Sequence, residues 1–311
     1  MIKPFPGRPL SGGKVVTICV AGISQPYKAA KSIFAVSDTK FSWGVMSVDS
    51  GWKMHTIHRK WRVLFAGPVS PLVALVDAVK TAAANAKHNS LRPFARLCSR
   101  AYREEREHII ETDILAEHDL HSYAEYVALK DSDREFFEKV TEKIKKHEEE
   151  WNLLFLGFDD ANRPHVFIIT EYGKIQFCEA EAFGVIGSGS WNAHTALTRF
   201  GFNRFMRRGE AIYSLLAAKF EAESADGVGE RTAFMILKAS DRLGRTVPGL
   251  NGKDISTIKN EWKKLPKFPE RMPDTIEDFV AQSEREHQSK IENPLRGYIK
   301  RSASRKSKGQ R

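Results

Sequence analysis

Side chains that could support nucleophilic chemistry lie in several short segments of the 311-residue sequence. Thr17 opens TICVAGI, Asp38 closes SIFAVSD, Lys53 lies in GWKMHTI, Gly67 closes LFAG, and Ser188 lies in a GSGS tetrapeptide. A threonine hydroxyl is a poor nucleophile near neutral pH and reacts only with a base beside it. Any function for these residues therefore depends on which of them the fold brings together.

Taken in order along the chain, the segments resemble the proteasome β-subunit branch of the N-terminal nucleophile (Ntn) hydrolases, over about residues 15–238. The resemblance is carried by TICVAGI, IFAVSDTKFSWG, GWKMHTIHRKWRVLFAGPVS and GVIGSGSWNAHTAL. Each signature is weak alone, and their order among the intervening strands and helices supports the assignment.

The resemblance implies a catalytic role for each of the five residues. Thr17 is the expected nucleophile, Asp38 and Lys53 its charged neighbours, Gly67 the glycine that binds the oxyanion, and Ser188 a supporting serine. The step from Lys53 to Gly67 is fourteen residues, which matches the family spacing.

The implied mechanism is consistent with the chemistry of these residue types. The base is the α-amino group of Thr17 once the preceding peptide bond is gone, with a reference pKa of about 7.7–8.0. A nearby ammonium such as Lys53 lowers the pKa of that amine, and Asp38 holds the lysine in place. The Gly67 N–H donates to the oxyanion, since Pro68 has no N–H.

The sequence departs from the family pattern just before the nucleophile. Val16 precedes Thr17 where self-processing β-subunits have glycine, and an alternative register would place Val15 at the nucleophile position. A GTG initiation codon at Val16 would make Thr17 the second residue and expose its amine after methionine removal. Residues 1–14 are accordingly interpreted as a leader or a wrongly assigned start.

Each residue taken singly also has a structural explanation. Thr17 suits a β-branched strand, Asp38 suits a turn, Lys53 lies in a basic stretch, and Gly67 before Pro68 is typical of a loop. What favours the functional interpretation is the order and spacing of the set.

The secondary-structure pattern must position these residues, and it favours two packed sheets with helices outside. Short apolar runs form a β-rich first quarter that includes a hairpin of VVTICVAGI and SIFAVSD. A helix starting at Ser70 and Pro71 and further helical patterns follow, then a meander from NLLFLGFDD to GVIGSGS, two helices and the strand RTAFMILKA. Blocks of strands that do not alternate singly with helices predict an α+β fold. With the resemblance, this becomes a four-layer αββα sandwich of Ntn-hydrolase type.

Other motifs are weaker. His118 and His121 beside Asp119 could form a metal cluster, but a solvated helix end is favoured, and GSGS is neither a dinucleotide fingerprint nor a nucleophile elbow. Trp43, Trp52 and Trp61 could stack on bases, but core packing is preferred. Neither a cofactor nor a metal is expected. Three cysteines without CxxC spacing exclude a disulfide framework.

The basic charge is concentrated at the C-terminal end. Of the net charge of +10, seven positive charges lie in residues 296–311, which leaves +3 for residues 1–295. This composition predicts a disordered basic tail, or an arm for nucleic acid or an acidic partner. The predicted organisation is an Ntn-hydrolase domain over 15–240 with a helical insertion at about 118–150, a peripheral segment over 241–295, and the tail.

The predicted function is hydrolysis of amide bonds, in peptides or smaller amides, by an N-terminal threonine. The alternative is a catalytically inactive β-subunit-like protein that serves as a structural or interaction module. A third hypothesis is a nucleic-acid-associated protein that acts through its tail. A soluble, cytoplasmic protein is expected, with a possible homo-oligomer and without membrane association, because 41% hydrophobic residues occur without a long apolar run.

Overall fold

A computed structural model describes residues 17–264, apart from 28–29, 44–45, 50–52, 87–88, 149–150, 240–246 and 249. The predicted leader, most of the 241–295 segment and the basic tail lie outside the described residues. The strands are β1 (Cys19–Ser24), β2 (Ser32–Asp38), β3 (Lys40–Trp43), β4 (Met46–Asp49), β5 (Met54–His58), β6 (Trp61–Ala66), β7 (Asn152–Phe158), β8 (Pro164–Thr170), β9 (Lys174–Phe177), β10 (Phe183–Ile186), β11 (Thr232–Lys238) and β12 (Val247–Pro248). The α-helices are α1 (Val69–Ala84), α2 (Leu91–Ile110), α3 (Tyr123–Ser132), α4 (Arg134–Glu148), α5 (Ser190–Arg199), α6 (Arg208–Ala222) and α7 (Gly252–Lys264).

The first antiparallel sheet has the order β10-β1-β2-β11-β12. Strands β1 and β2 form the predicted hairpin, with Ala21 opposite Ala35, and every residue of both strands is buried. Such burial on both faces explains why their sequences are apolar at most positions, with polar residues confined to the strand ends.

The second antiparallel sheet has the order β5-β6-β7-β8-β9, and its strand β6 shows how both faces are used. Trp61, Val63 and Phe65 pack into a core beneath α1 and α2. Leu64 and Ala66, which alternate with them, pack into the core shared with the first sheet. Helices α5 and α6 cover the outer face of the first sheet. The layers are therefore helices, sheet, sheet and helices, which confirms the predicted α+β sandwich.

Two local predictions are wrong. The strands from β7 to β10 are not one meander, because β10 leaves the second sheet and pairs with β1, with Cys19 opposite Ile186. Helix α1 begins at Val69 instead of Ser70, and Pro68 occupies the cap position. Pro71 is tolerated because the first helical N–H groups have no intrahelical partner to lose.

A separate small core lies in the middle of the chain. A π-helical turn, Glu111–Leu115, follows α2 and leads towards α3 and α4. The buried residues of this small core are Ile110, Ile114, Leu115, Tyr126, Val140 and Ile144.

The domain boundaries drawn from the sequence stay predictions. Among the helices of the described residues, none is long and apolar enough to cross a membrane.

Candidate active site

The sheet register places Thr17 between two of its predicted partners. Thr17 lies two residues before β1, whose neighbours are β2 on one side and β10 on the other. The backbone N–H of Asp38 donates to Ile18 O at 3.2 Å, so Asp38, the last residue of β2, lies beside the start of β1. Continuing the β1–β10 register beyond Cys19 and Ile186 brings Ser188 next to Thr17.

The side chains of Thr17, Asp38 and Lys53 form one buried hydrogen-bonded group. Thr17 Oγ1 donates to Asp38 Oδ1 at 2.7 Å, and Lys53 Nζ donates to the same oxygen at 2.6 Å. Lys53 Nζ also donates to Thr17 Oγ1. Thr17, Asp38 and Lys53 are 3%, 0% and 2% exposed. A buried ammonium therefore lies directly against the threonine hydroxyl, with a carboxylate to balance its charge.

Ser188 holds the main chain of Thr17 instead of its hydroxyl. Thr17 N donates to Ser188 Oγ at 3.2 Å, and Ser188 Oγ donates to Thr17 O at 3.3 Å. The neighbouring Gly187 has φ of +104°, and a Cβ there would lie 2.3 Å from Thr17 O. Glycine is thus required for the turn to approach Thr17 this closely. Ser188 thus lies against the main chain of Thr17, and its supporting role stays a prediction.

Gly67 is positioned by strand β6. It directly follows Ala66, is buried, and has φ of +134°, a conformation that favours glycine. The buried Cys19 thiol of β1 donates to Phe65 O of β6 at 3.5 Å. Cys19 lies two residues after Thr17 and Phe65 lies two residues before Gly67, so this contact joins the two strands near both residues. The structure brings Asp38, Lys53 and Ser188 into direct contact with Thr17, and it places Gly67 at the strand end that this contact anchors.

Cys19 is the nucleophilic side chain nearest to Thr17 along the strand, but its chemistry argues against a reactive thiol. Burial raises the pKa of Cys19 to about 12, although the charge of Lys53 acts in the opposite direction. A thiol that stays protonated at neutral pH is a poor nucleophile. The hydroxyl of Thr17 is therefore the better candidate.

Two supporting residues, Gly229 and Lys219, were not found from the sequence. The Gly229 N–H donates to Asp38 Oδ2 at 3.2 Å, so the second carboxylate oxygen is held as well as the first. Lys219 is fully buried and donates to Gly229 O at 2.9 Å. A lysine in a largely apolar helical segment, LLAAKFEA, was the available signal, because an unpaired lysine avoids such burial.

The structure also bears on the alternatives raised by the sequence. Of the two registers considered, the one with Thr17 puts this residue among Asp38, Lys53 and Ser188, whereas Val15 lies outside the described residues. Trp61 is buried and stacks on Phe94. The ring of His118 packs edge-on against Phe136, and no group of three metal-ligating side chains occurs among the described residues.

The order of the layers and of the strands in both sheets forms a four-layer αββα sandwich of Ntn-hydrolase type, with Thr17 two residues before β1. The comparison with solved structures supports this assignment. The Gly-1 mutant of Anbu from Hyphomicrobium sp. strain MC1 is similar to this chain with a TM-score of 0.56 and 18% identity, over 80% of this chain and 94% of the Anbu chain. No protein-family model matches the sequence, and no curated protein does so. At this identity the likeness concerns the fold.

Proposed function

We propose that this protein is an amide-bond hydrolase, acting on peptides or small amides, whose nucleophile is Thr17 as the N-terminal residue of the mature chain. The observation that carries the proposal is the buried contact of Lys53 Nζ with the Thr17 hydroxyl, backed by Asp38. An ammonium at this position stabilises negative charge on the attacking oxygen and, once Thr17 is the first residue, lowers the pKa of the adjacent α-amine.

In the proposed reaction, Thr17 Oγ1 attacks the carbonyl carbon of the substrate amide while the α-amine takes the hydroxyl proton. The Gly67 N–H donates to the resulting oxyanion. When the C–N bond breaks, the α-ammonium returns its proton to the leaving amine and an ester remains on Thr17. Water then attacks this ester with the amine again as base, which releases the acid and restores the hydroxyl.

The proposal requires removal of the residues before Thr17. In the 311-residue chain the nitrogen of Thr17 belongs to the peptide bond with Val16, so it is not a free amine. Thr17 is 3% exposed. A chain that begins at Thr17 would have the free α-amine that the mechanism uses as its base. This is why the proposed function is tested on a protein produced with Thr17 as its first residue.

The test uses a peptide β-lactone, which a hydroxyl opens to form an ester without releasing a leaving group. We expect the chain beginning at Thr17 to gain the full mass of the probe on the peptide that contains Thr17. Thr17→Ser should still react because it keeps a hydroxyl, whereas Thr17→Ala should not. Hydrolysis of fluorogenic peptide amides by the same three proteins measures turnover.

The competing candidate is a structural or interaction module without catalysis, which the valine before Thr17 favours. A correctly folded chain that begins at Thr17, forms no ester and cleaves no member of a broad peptide-amide library would establish that alternative. Modification of Cys19 instead of Thr17 would also overturn the proposal.

A further inference from the structure

Lys219 is an anomaly in the middle of α6. It is 0% exposed, and its neighbours Leu216 and Phe220 on the same helix are core residues. Transferring an ammonium from water into such surroundings is strongly unfavourable unless the charge is paired and its donors are satisfied. A chain that keeps lysine here must obtain something that an apolar residue would not give.

All three donors of the Lys219 ammonium are used. Nζ donates to the carbonyl oxygens of Gly229 and Glu230, both at 2.9 Å, and to Glu223 Oε1 at 2.5 Å. An ammonium has three N–H donors, so this set is complete. Because two of the acceptors are consecutive backbone carbonyls, Lys219 fixes the chain immediately before β11.

The segment that Lys219 fixes contacts the candidate site. The Gly229 N–H donates to Asp38 Oδ2, while Asp38 Oδ1 accepts from Thr17 Oγ1, Ile18 N and Lys53 Nζ. With one oxygen used by the reacting group and the other held by Gly229, the carboxylate plane cannot rotate freely. Movement at Gly229 would therefore change how Asp38 presents Oδ1 to Thr17 and Lys53.

A second ion pair extends this network outward to α7. Lys259 Nζ bonds the other carboxylate oxygen of Glu223 and lies 5.7 Å from the centre of the Phe220 ring. Trp262, also on α7, packs against the same ring. Glu223 is thereby held from both sides, with the fully buried lysine on its inner side.

We propose that Lys219 is a positioning residue of the active site, whose buried ammonium holds the Gly229–Glu230 segment so that the Gly229 amide orients Asp38 against Lys53 and Thr17. This inference rests on the proposed function for its effect on catalysis. Burial lowers the pKa of Lys219, while Glu223 and the charge of Asp38 act to raise it. The charges of Lys219 and Asp38 are thus close enough to influence each other.

The test compares Lys219→Met with two matched variants in the chain beginning at Thr17. Met keeps the apolar stem without the ammonium. Lys259→Met removes the outer ion pair and leaves the Lys219 contacts, and Leu216→Ala removes a core side chain one turn away without touching a hydrogen bond. Leu216→Ala therefore reports the effect of destabilising α6 alone.

We expect amide hydrogen exchange over residues 226–231 to be faster in Lys219→Met than in Leu216→Ala, while β1 and β2 stay protected. We also expect kcat to fall by about tenfold or more with KM nearly unchanged. Losing a hydrogen bond to a charged group corresponds to a decrease in rate of roughly one order of magnitude or more. Lys259→Met should lower kcat by only about twofold to threefold, as expected for a more exposed ion pair. Unchanged exchange at 226–231, or a kcat no lower than that of Leu216→Ala, would overturn the proposal.

If Lys219→Met does not fold, Gly229→Ala tests the same step from the other side. An added Cβ would lie 2.7 Å from Lys40 Cβ and 3.2 Å from Asp38 Oδ2, so the segment must shift while the ammonium stays. A comparable loss of kcat supports the inference, and full activity contradicts it. If the unmodified chain itself neither reacts with the β-lactone nor turns over, the proposed function has failed, and hydrogen exchange still decides whether Lys219 holds the segment.

Discussion

Lysines and arginines pair with carboxylates both at the candidate site and along helix α4, but the two regions differ in burial. Lys53 and Asp38 are 2% and 0% exposed. Arg134 and Glu138 on α4 form an ion pair of similar composition at 84% and 65% exposure. Water screens the second pair and leaves the first with only its protein partners. The same residue types can therefore define a reactive site in one region and contribute little in the other.

The largest effect is expected from breaking the buried pair. Lys53→Met leaves the Asp38 carboxylate buried without its cation, and Asp38→Asn releases the lysine. Each should lower turnover of the chain beginning at Thr17 by about 10²–10⁴-fold. Lys53→Met should also lower the free energy of unfolding by about 3–5 kcal/mol. Turnover of fluorogenic peptide amides and urea unfolding measure the two effects.

The matched control is Lys143→Met, which removes the cation of an exposed pair with Glu117. Its activity and stability should stay near those of the unmodified chain. A fully active Lys53→Met protein would refute the proposed mechanism, whatever its stability.

A second way to sharpen the comparison is to disturb the backbone beside Thr17. Gly187→Ala puts a Cβ 2.3 Å from Thr17 O at a residue with φ of +104°. Gly201 also has positive φ, +62°, but a Cβ there meets no atom within 4 Å. Gly201→Ala should cost only the conformational strain, about 1–2 kcal/mol.

Gly187→Ala should cost more than Gly201→Ala and should also slow esterification of Thr17, because the clash moves the nucleophile. Thermal unfolding and the rate of β-lactone addition separate the two contributions. Equal stability losses together with an unchanged rate of addition would show that the close approach of Gly187 to Thr17 is not needed.

The contrast between the two regions also explains which parts of the site were predictable. Asp38, Lys53 and Gly67 lie at the ends of short strands whose order and spacing along the chain can be read directly. Gly229 and Lys219 were not found this way, because neither a glycine before a strand nor a lysine among apolar helical residues indicates by itself which residues it contacts. Their importance depends on sheet pairing, which places β11 next to β2, and on the burial of Lys219 within α6.

The fold was predictable to a similar degree. Short strands that are apolar at most positions indicate burial on both faces, which led to the prediction of two sheets between helices. The pairing of β10 with β1 instead of β9 was missed, because the turn residues between these strands indicate a reversal of the chain without specifying which sheet the next strand joins. Local patterns thus identify the elements, and long-range packing determines their partners.

A third, smaller effect follows from the thiol beside the nucleophile. The folded-state pKa of Cys19, raised to about 12 by burial, lies above the ordinary thiol value of 9.0. Between these values the unfolded chain loses the thiol proton and the folded chain keeps it, so stability is full below about pH 9 and falls as the pH rises. The loss attributable to Cys19 is about 1.4 kcal/mol per pH unit.

Cys19→Ser should reduce this alkaline slope because serine does not titrate in the range. Urea unfolding at pH 8, 9.5 and 11 measures the difference between the two proteins. The buried Cys178, whose pKa burial also raises to about 12, provides the comparison through Cys178→Ser. An identical slope in the unmodified and Cys19→Ser proteins would mean that the thiol is more accessible than its burial indicates.

The smallest effect is expected at the exposed pair on α4. Arg134 Nε donates to Glu138 Oε1 at 3.1 Å across one helical turn, a favourable spacing for an ion pair. Both side chains stay largely in water, so Arg134→Ala should change the free energy of unfolding by no more than about 0.5 kcal/mol, and less in 1 M salt. Glu138→Ala and the double variant complete a cycle that isolates the coupling between the two charges. A coupling as large as the loss expected for Lys53→Met would remove the distinction between the two regions, since burial would then no longer determine what a charged pair contributes.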